Sequence, residues 1–180
     1  QMSNYIIGLT GGIACGKSLV AKYLNEEGVA TLDADDVVHE LIPEDERRRL
    51  AAVVFKDPLE RAKLERRIHP LVKARLEEFL RAPGDSLKVV IVPLLFEVRW
   101  EGEYDIICCV SSARQTQISR MMELRGYSKA EAEARLAAQL PVAEKCEKSH
   151  YVISNDGSGD ELRMKVAEFV GWLKGREKNG

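Results

Sequence analysis

Near the start of this 180-residue chain, Gly11-Gly12-Ile13-Ala14-Cys15-Gly16-Lys17-Ser18 has the residue types and spacing needed to hold a polyphosphate. The segment satisfies G-x-x-x-x-G-K-[ST], in which glycines let backbone N–H groups converge on phosphate oxygens and the following helix adds its positive end. Lys17 supplies a mobile positive charge for the β- and γ-phosphates, and Ser18 a hydroxyl for Mg²⁺. Cys15 lies near a helix N-terminus, where thiol pKa values fall, and reads as filler with some sensitivity to alkylation, not as a nucleophile. A second group is Asp33 and Asp35, two apart at the end of a short strand. Carboxylates so spaced project over the edge of a sheet where ligands of open α/β folds bind, and can accept a proton from an attacking hydroxyl or hold Mg²⁺. Asp36 better suits an N-cap for a helix beginning near Val37.

Arginines form the third group. Arg114, Arg120, Arg125 and Arg135 lie on one helical stretch that reads as a lid over ATP, where guanidinium groups neutralise charge on a transferring phosphoryl group; solvated surface arginines are the alternative. His69 precedes Pro70, which is expected to separate two helical stretches. That histidine suits either a ligand phosphate or a hydrogen-bonded structural role.

The elements that must position these groups alternate. Tyr5 to Leu9, Val29 to Leu32, Lys88 to Pro93, Asp105 to Val110 and Tyr151 to Ile153 are short apolar runs suited to buried parallel strands. The intervening segments are helical, with Val20, Tyr23 and Leu24 on one face of the first helix and Leu162, Val166, Phe169, Val170 and Leu173 on one face of the last. Asp57, Ser112, Ser128 and Ser158 each stand three residues before Glu or Gln, a helix-start signal, and Pro58 suits a first helical position. Such alternation predicts a parallel sheet with right-handed crossovers.

Composition narrows the partners. Hydrophobic residues make up 45% and charged residues 31%, with a formal net charge of −2, which suits a globular chain without bulk attraction to nucleic acid or membrane. Glu44 to Arg81 and Arg114 to Ser149 carry net charges of +3 and +2, so the two helical excursions are the positive parts. No apolar stretch is long enough to span a bilayer. The four cysteines, Cys15, Cys108, Cys109 and Cys146, show no metal spacing or disulfide framework, and a reducing cytoplasm is expected. A regulatory GTPase would need N-K-x-D, which is absent, and the one D-x-x-G begins at Asp156, past the last strand. A small-molecule kinase remains.

Across nearly its whole length the sequence resembles the dephospho-CoA kinase family. The matching blocks are Gly8 to Ile13 with Gly16-Lys17-Ser18, Asp33-Ala34-Asp35, His69-Pro70, Pro93-Leu94-Leu95-Phe96-Glu97, Ala138-Gln139-Leu140 and Ile153 to Gly157. The resemblance implies a three-layer α/β P-loop NTPase fold in one domain. Its parallel-sheet core would span about residues 1–37, 87–113 and 150–180, its helical substrate-binding excursion 38–86 and its helical lid 114–149. It implies ATP and Mg²⁺ as co-substrate and cofactor, dephospho-CoA as the partner, no nucleic acid or membrane, and a monomer or weak oligomer. ATP would phosphorylate the ribose 3′-hydroxyl, the last step of coenzyme A synthesis. Asp35 is then the general base, with Lys17 and Arg135 completing the catalytic set. ATP would lie against Gly11 to Leu19, Arg120, Asn155 and Gly157. The substrate would lie against Asp33, Asp35, His69, Pro93, Leu94, Leu95 and Glu97, and the metal on Ser18 and Asp35.

The chain departs from the family at Ala14-Cys15, where Gly-Ser is common, at Leu19, where Thr is common, and in lacking an Asp on the strand before Pro93. It is also short between Ile42 and Pro43. An alanine at position 14 is harmless only if its φ is negative. A kinase for another small hydroxylated metabolite, such as shikimate or a nucleoside, and a non-catalytic nucleotide-binding regulator are the alternatives; Asp35 and Lys17 argue against the second, since binding alone needs no base.

Overall fold

The run Ile7-Gly8-Leu9-Thr10-Gly11 forms β1, a strand buried along its whole length, as expected of a strand covered on both faces. The computed structural model describes residues 5–54, 56–84 and 87–178. Two units are distinguished, residues 1–31 with 85–180, and residues 32–84.

In the first unit β1 (Ile7–Gly11) leads into α1 (Lys17–Glu26), and β2 (Ala30–Asp33) follows, its last two residues counted with the second unit. β3 (Lys88–Ile91), β4 (Ile106–Ser111), α5 (Arg114–Arg125), α6 (Lys129–Ala137), α7 (Val142–Glu147), β5 (Tyr151–Ser154) and α8 (Gly159–Lys178) complete it, after the three helices of the second unit, α2 to α4. The five strands lie in the order β2-β3-β1-β4-β5. β1 pairs in parallel with β3 and β4, Ile7 standing opposite Val89 and Ile106, and β4 pairs in parallel with β5.

Strand alternation divides the side chains between two layers. Ile7, Leu9, Val89, Ile91, Ile106, Cys108 and Val110 enter one core with Val20, Tyr23 and Leu24 of α1 and Leu162, Val166, Phe169, Val170 and Leu173 of α8, the helical faces expected from the sequence. On the other face Cys109 meets Cys146 of α7, with 3.7 Å between the sulfurs, and Gly8 faces Leu95 and the Tyr104 ring. Helix, sheet and helix make three layers. Ile118, Met121 and Ala132 form a separate small core joining α5 to α6. No helix among the described residues is long and apolar enough to cross a membrane.

The second unit holds α2 (Ala34–Leu41), α3 (Glu44–Val54) and α4 (Pro58–Arg81). Only Ile42 and Pro43 separate α2 from α3, Ile42 N–H donating to Val38 and Arg47 N–H to Pro43. Asp57 caps α4 by accepting from Leu59 N–H, and Pro58 opens it. The expected break at Pro70 does not occur, because α4 runs unbroken through it. Interior proline costs about 3 kcal/mol. Ile68, Val72 and Leu76, one helical turn apart and all buried, return roughly 1.5–3 kcal/mol each on burial and outweigh it.

Four cap expectations meet the structure differently. Ser128 and Ser158 accept from Glu131 and Glu161 N–H as expected. Ser112 does not cap α5, which has Ala113 at its N-cap, because its hydroxyl is turned inward to the Asn155 carbonyl. Asp36 does not cap α2 either; Asp33 does, its Oδ1 accepting from Asp35 N–H at 2.8 Å.

Candidate active site

Parallel pairing brings the C-terminal ends of β1, β4 and β5 to one sheet edge, with Gly11 opposite Val110 and Ser111 opposite Ser154. Residues 12–16, Ser112-Ala113 and Asn155-Asp156 leave the sheet there. Gly16 has a φ of 94° and caps α1; a Cβ on it would stand 2.4 Å from Asn155 Nδ2, so only glycine fits. Ala14, by contrast, has a φ of 58°. The condition under which this alanine would be harmless is not met, and the loop carries a side chain in the left-handed region.

The loop's carbonyls are all held by donors. Gln117 Nε2 donates to Ile13 O at 2.9 Å, Arg120 Nη1 to Ala14 O at 2.9 Å and Asn155 Nδ2 to Cys15 O at 2.9 Å. Lys17 Nζ donates to Gly12 O at 2.8 Å, and Lys145 Nζ to Gly11 O at 3.3 Å. The Gly12 N–H donates to Val110 O and the Cys15 N–H to Gly12 O; with its carbonyls anchored the loop's backbone is fixed, and successive N–H groups in such a nest bind an anion. Arg120 also reaches Ser112 Oγ and the Asn155 carbonyl. The buried polar residues Thr10, Ser112, Gln117, Lys145 and Asn155 all bond to this loop or to the segments beside it. Buried polar groups need partners, and here the partners are the loop.

A pocket of about 370 Å³ opens beside the loop, lined by Ala14, Gly16, Lys17, Ser18, Leu19, Arg120, Asn155 and Gly157 together with Arg125. The sequence reading named the first eight as ATP contacts. Gly12 and Ile13 instead line a second cavity of about 620 Å³, with Arg114, Gln139 and Asp156 among its walls. Arg135 lies over the Tyr127 ring, 4.4 Å from its centroid. Pro93 O accepts from Thr10 Oγ1 and Lys145 Nζ, Glu97 pairs with Lys145, and Leu95 is fully buried. Leu94 belongs to the same turn. Asp33, Asp35 and His69 belong to the other unit, in or beside α2 and α4. Asp33 spends one oxygen on capping.

Two electrostatic features bear on the chemistry. Burial pushes the Cys15 thiol above its ordinary value, the nearby Lys17 only partly opposing it, so the expected fall at the helix N-terminus and the sensitivity to alkylation are corrected. The Ala113 N–H, donating to Asp156 Oδ1 at 2.9 Å, holds that carboxyl below its ordinary value.

Gln117, Ser112 and Lys145 escaped the sequence reading. Lys145 left one signal, since it stands three residues after the apolar Val142 and so on the same helical face.

A nest of N–H groups at the end of a central parallel strand, with Lys17 and Ser18 opening the next helix, defines a small P-loop kinase. Shikimate kinase from Acinetobacter baumannii has this fold, with a TM-score of 0.59 at 15% identity, covering 96% of this chain and 94% of that one. Within that class the family model for dephospho-CoA kinase matches residues 5–47 and 43–161, and the chain belongs to this family. Dephospho-CoA kinase of Synechococcus sp. (strain JA-3-3Ab) is 35% identical over 210 residues, covering 92% of this chain and 91% of its own. That alignment is longer than this chain, so the relative carries residues with no counterpart here. A solved structure from Thermus thermophilus matches with a TM-score of 0.81 at 33% identity, over 94% of this chain and 97% of that one.

Proposed function

We propose that this chain transfers the γ-phosphoryl group of ATP to the ribose 3′-hydroxyl of dephospho-CoA, with Asp35 as general base. Family membership makes it an ATP-dependent kinase of dephospho-CoA, acting in the final step of coenzyme A synthesis. The observation that carries the reading furthest is the anchored loop, whose carbonyls from Gly11 to Cys15 all accept hydrogen bonds, fixing its backbone beside the pocket that Lys17 and Ser18 line.

In the proposed step the 3′-oxygen forms a bond to the γ-phosphorus while the bond from that phosphorus to the β,γ-bridging oxygen breaks. The hydroxyl proton passes to the Asp35 carboxylate, and ADP leaves. Lys17 follows the charge that moves onto the bridging oxygen, and Arg135 supplies positive charge from the lid. The Ser18 hydroxyl, a hard oxygen donor on the same pocket wall as Lys17, suits Mg²⁺, which would neutralise phosphate charge when bound. Asn155 and Gly157 would flank the adenine. The net positive charge of residues 44–81 suits a substrate carrying a pyrophosphate.

The test is ADP release with Mg-ATP and dephospho-CoA, against shikimate, nucleoside monophosphates and no acceptor. Turnover specific to dephospho-CoA, with CoA as product, is expected; turnover only with another acceptor removes the substrate assignment. Asp35→Asn should lower kcat by about 10²–10⁴ with ATP affinity nearly intact, and an unchanged kcat removes Asp35 from the mechanism.

A further inference from the structure

Strand β4 and helix α7 each bring one thiol to the same point. Cys109 is fully buried on β4, Cys146 is half-buried on α7, and the Cys146 S–H donates to the Cys109 sulfur at 3.7 Å. A disulfide holds its sulfurs at about 2.05 Å, so a small approach of α7 toward the strand joins them. Cys146 also lines the cavity of about 620 Å³ described above, a size that admits a small organic molecule. The pair is not part of a metal centre, since among the described residues no group of three or more His, Cys, Asp or Glu could hold an ion. Cys108 sits in the apolar core on the other face of the sheet and does not compete for either sulfur.

The phosphate loop adjoins this pair on both sides. Cys109 stands opposite Thr10 in the pairing of β4 with β1, and the carbonyl of the next residue, Val110, accepts from Gly12 N–H. Helix α7 packs against β4 and β1, and its Lys145 donates to the Gly11 carbonyl. A Cβ on Gly12 would stand 3.0 Å from Val142 Cβ and 2.9 Å from Cys15 Sγ. No slack therefore separates α7 from the loop, and close-packed groups transmit a displacement instead of absorbing it.

We infer that Cys146 and Cys109 form a thiol–disulfide exchange site, open to small organic disulfides through the cavity, whose oxidation weakens nucleotide binding at the loop. In the first step the Cys146 sulfur, as thiolate, attacks one sulfur of a disulfide RS–SR. The bond between those two sulfurs breaks, a Cys146–S–S–R bond forms, and RS⁻ leaves to take up the proton that Cys146 released. In the second step the Cys109 sulfur attacks that of Cys146, the bond to SR breaks, and the Cys109 proton departs with RSH. Both cysteine thiols are oxidised, and RS–SR is reduced to its thiols. Burial, with Cys146 beside it, raises the Cys109 thiol above its ordinary value, which makes Cys146 the entering sulfur and ring closure the slower step. The inference rests on nucleotide binding at the loop, and not on which acceptor is phosphorylated.

The test incubates the reduced full-length chain with bis(hydroxyethyl) disulfide and then removes the reagent by gel filtration. Peptide mapping after alkylation is expected to find a Cys109–Cys146 bond. Titration with a fluorescent ATP analogue, without acceptor, should show an affinity about tenfold lower than in the reduced chain, within the usual range for two coupled sites. Dithiothreitol should restore it. Because coupling is reciprocal, saturating Mg-ATP should shift the exchange equilibrium against the disulfide by the same factor. Cys146→Ser should form no disulfide and keep its affinity through the treatment, whereas Cys109→Ala should stop at the hydroxyethyl adduct on Cys146. Absence of the Cys109–Cys146 bond in treated wild type overturns the inference, as does that bond with unchanged affinity. An equal loss of affinity in treated Cys146→Ser also overturns it, by placing the reactive thiol elsewhere. Should Cys109→Ala fail to fold, wild type and Cys146→Ser, changed only at a half-buried position, decide. Since binding is read without an acceptor, a wrong substrate assignment leaves every arm readable.

Discussion

Ala14 concentrates the tension between backbone and side chain. Its φ of 58° belongs to a region that costs an L-residue roughly 1–2 kcal/mol, and the loop keeps it there because Ala14 O is held by Arg120 and its neighbours by Gln117 and Asn155. Ala14→Gly should therefore raise stability by about 1 kcal/mol, read as an increase in thermal midpoint; a decrease would mean that the methyl group packs more favourably than the backbone is strained. Asp156 makes a pH-dependent contribution. Its ordinary value is 3.8 and the Ala113 N–H lowers it in the fold, so the folded state favours the ionised form. That stabilisation is complete above the unfolded value and is lost as pH falls through the folded one. Asp156→Asn keeps a neutral acceptor and removes the titration. The gap in midpoint between wild type and this variant should be widest near neutral pH and close below about pH 4, and a gap that persists at pH 2 would assign the effect to packing.

At the scale of elements, α4 shows what sequence reading captures and what it misses. Asp57-Pro58 announced the start of α4 because capping is local, an Asp carboxylate and the N–H two residues on. Pro70 misled because what overrides it, the burial of Ile68, Val72 and Leu76, depends on partners that a local rule does not see. Pro70→Ala restores an N–H donor to the Arg66 carbonyl and should stabilise the helix by up to about 3 kcal/mol, measured by chemical denaturation; a loss would show that the proline ring contributes more by packing than the restored bond does. The same distinction runs through the active site. The phosphate loop could be read because its glycines, Lys17 and Ser18 are contiguous. Its anchors could not, since Lys145 stands 134 residues from Gly11 and Gln117 104 residues from Ile13, and no periodicity connects such pairs. Ser112 illustrates the converse, a good capping signal spent on the Asn155 carbonyl because a buried hydroxyl beside a buried carbonyl bonds to it first. The strands were legible to within two residues, since runs such as Ile106 to Val110 are buried from end to end.

For the molecule as a whole, membership of the dephospho-CoA kinase family sets the reaction, and the strand order sets when the chain can begin to perform it. β1 is central in the sheet, yet its partners are β3 and β4, and the loop that follows it takes its anchors from residues 117, 120, 145 and 155. Chains emerge from the ribosome at about 5–20 residues per second, so the phosphate loop is among the first segments made and among the last completed. A chain truncated after Glu147 keeps every residue of the loop motif but lacks β5 and Asn155; it should fail to bind a fluorescent ATP analogue, and binding at wild-type affinity would show that the earlier anchors suffice. Until Asn155 has emerged, the nascent protein thus holds its motif without the last of its fastenings, and nucleotide is not expected to serve as a template for folding of the amino-terminal half during synthesis.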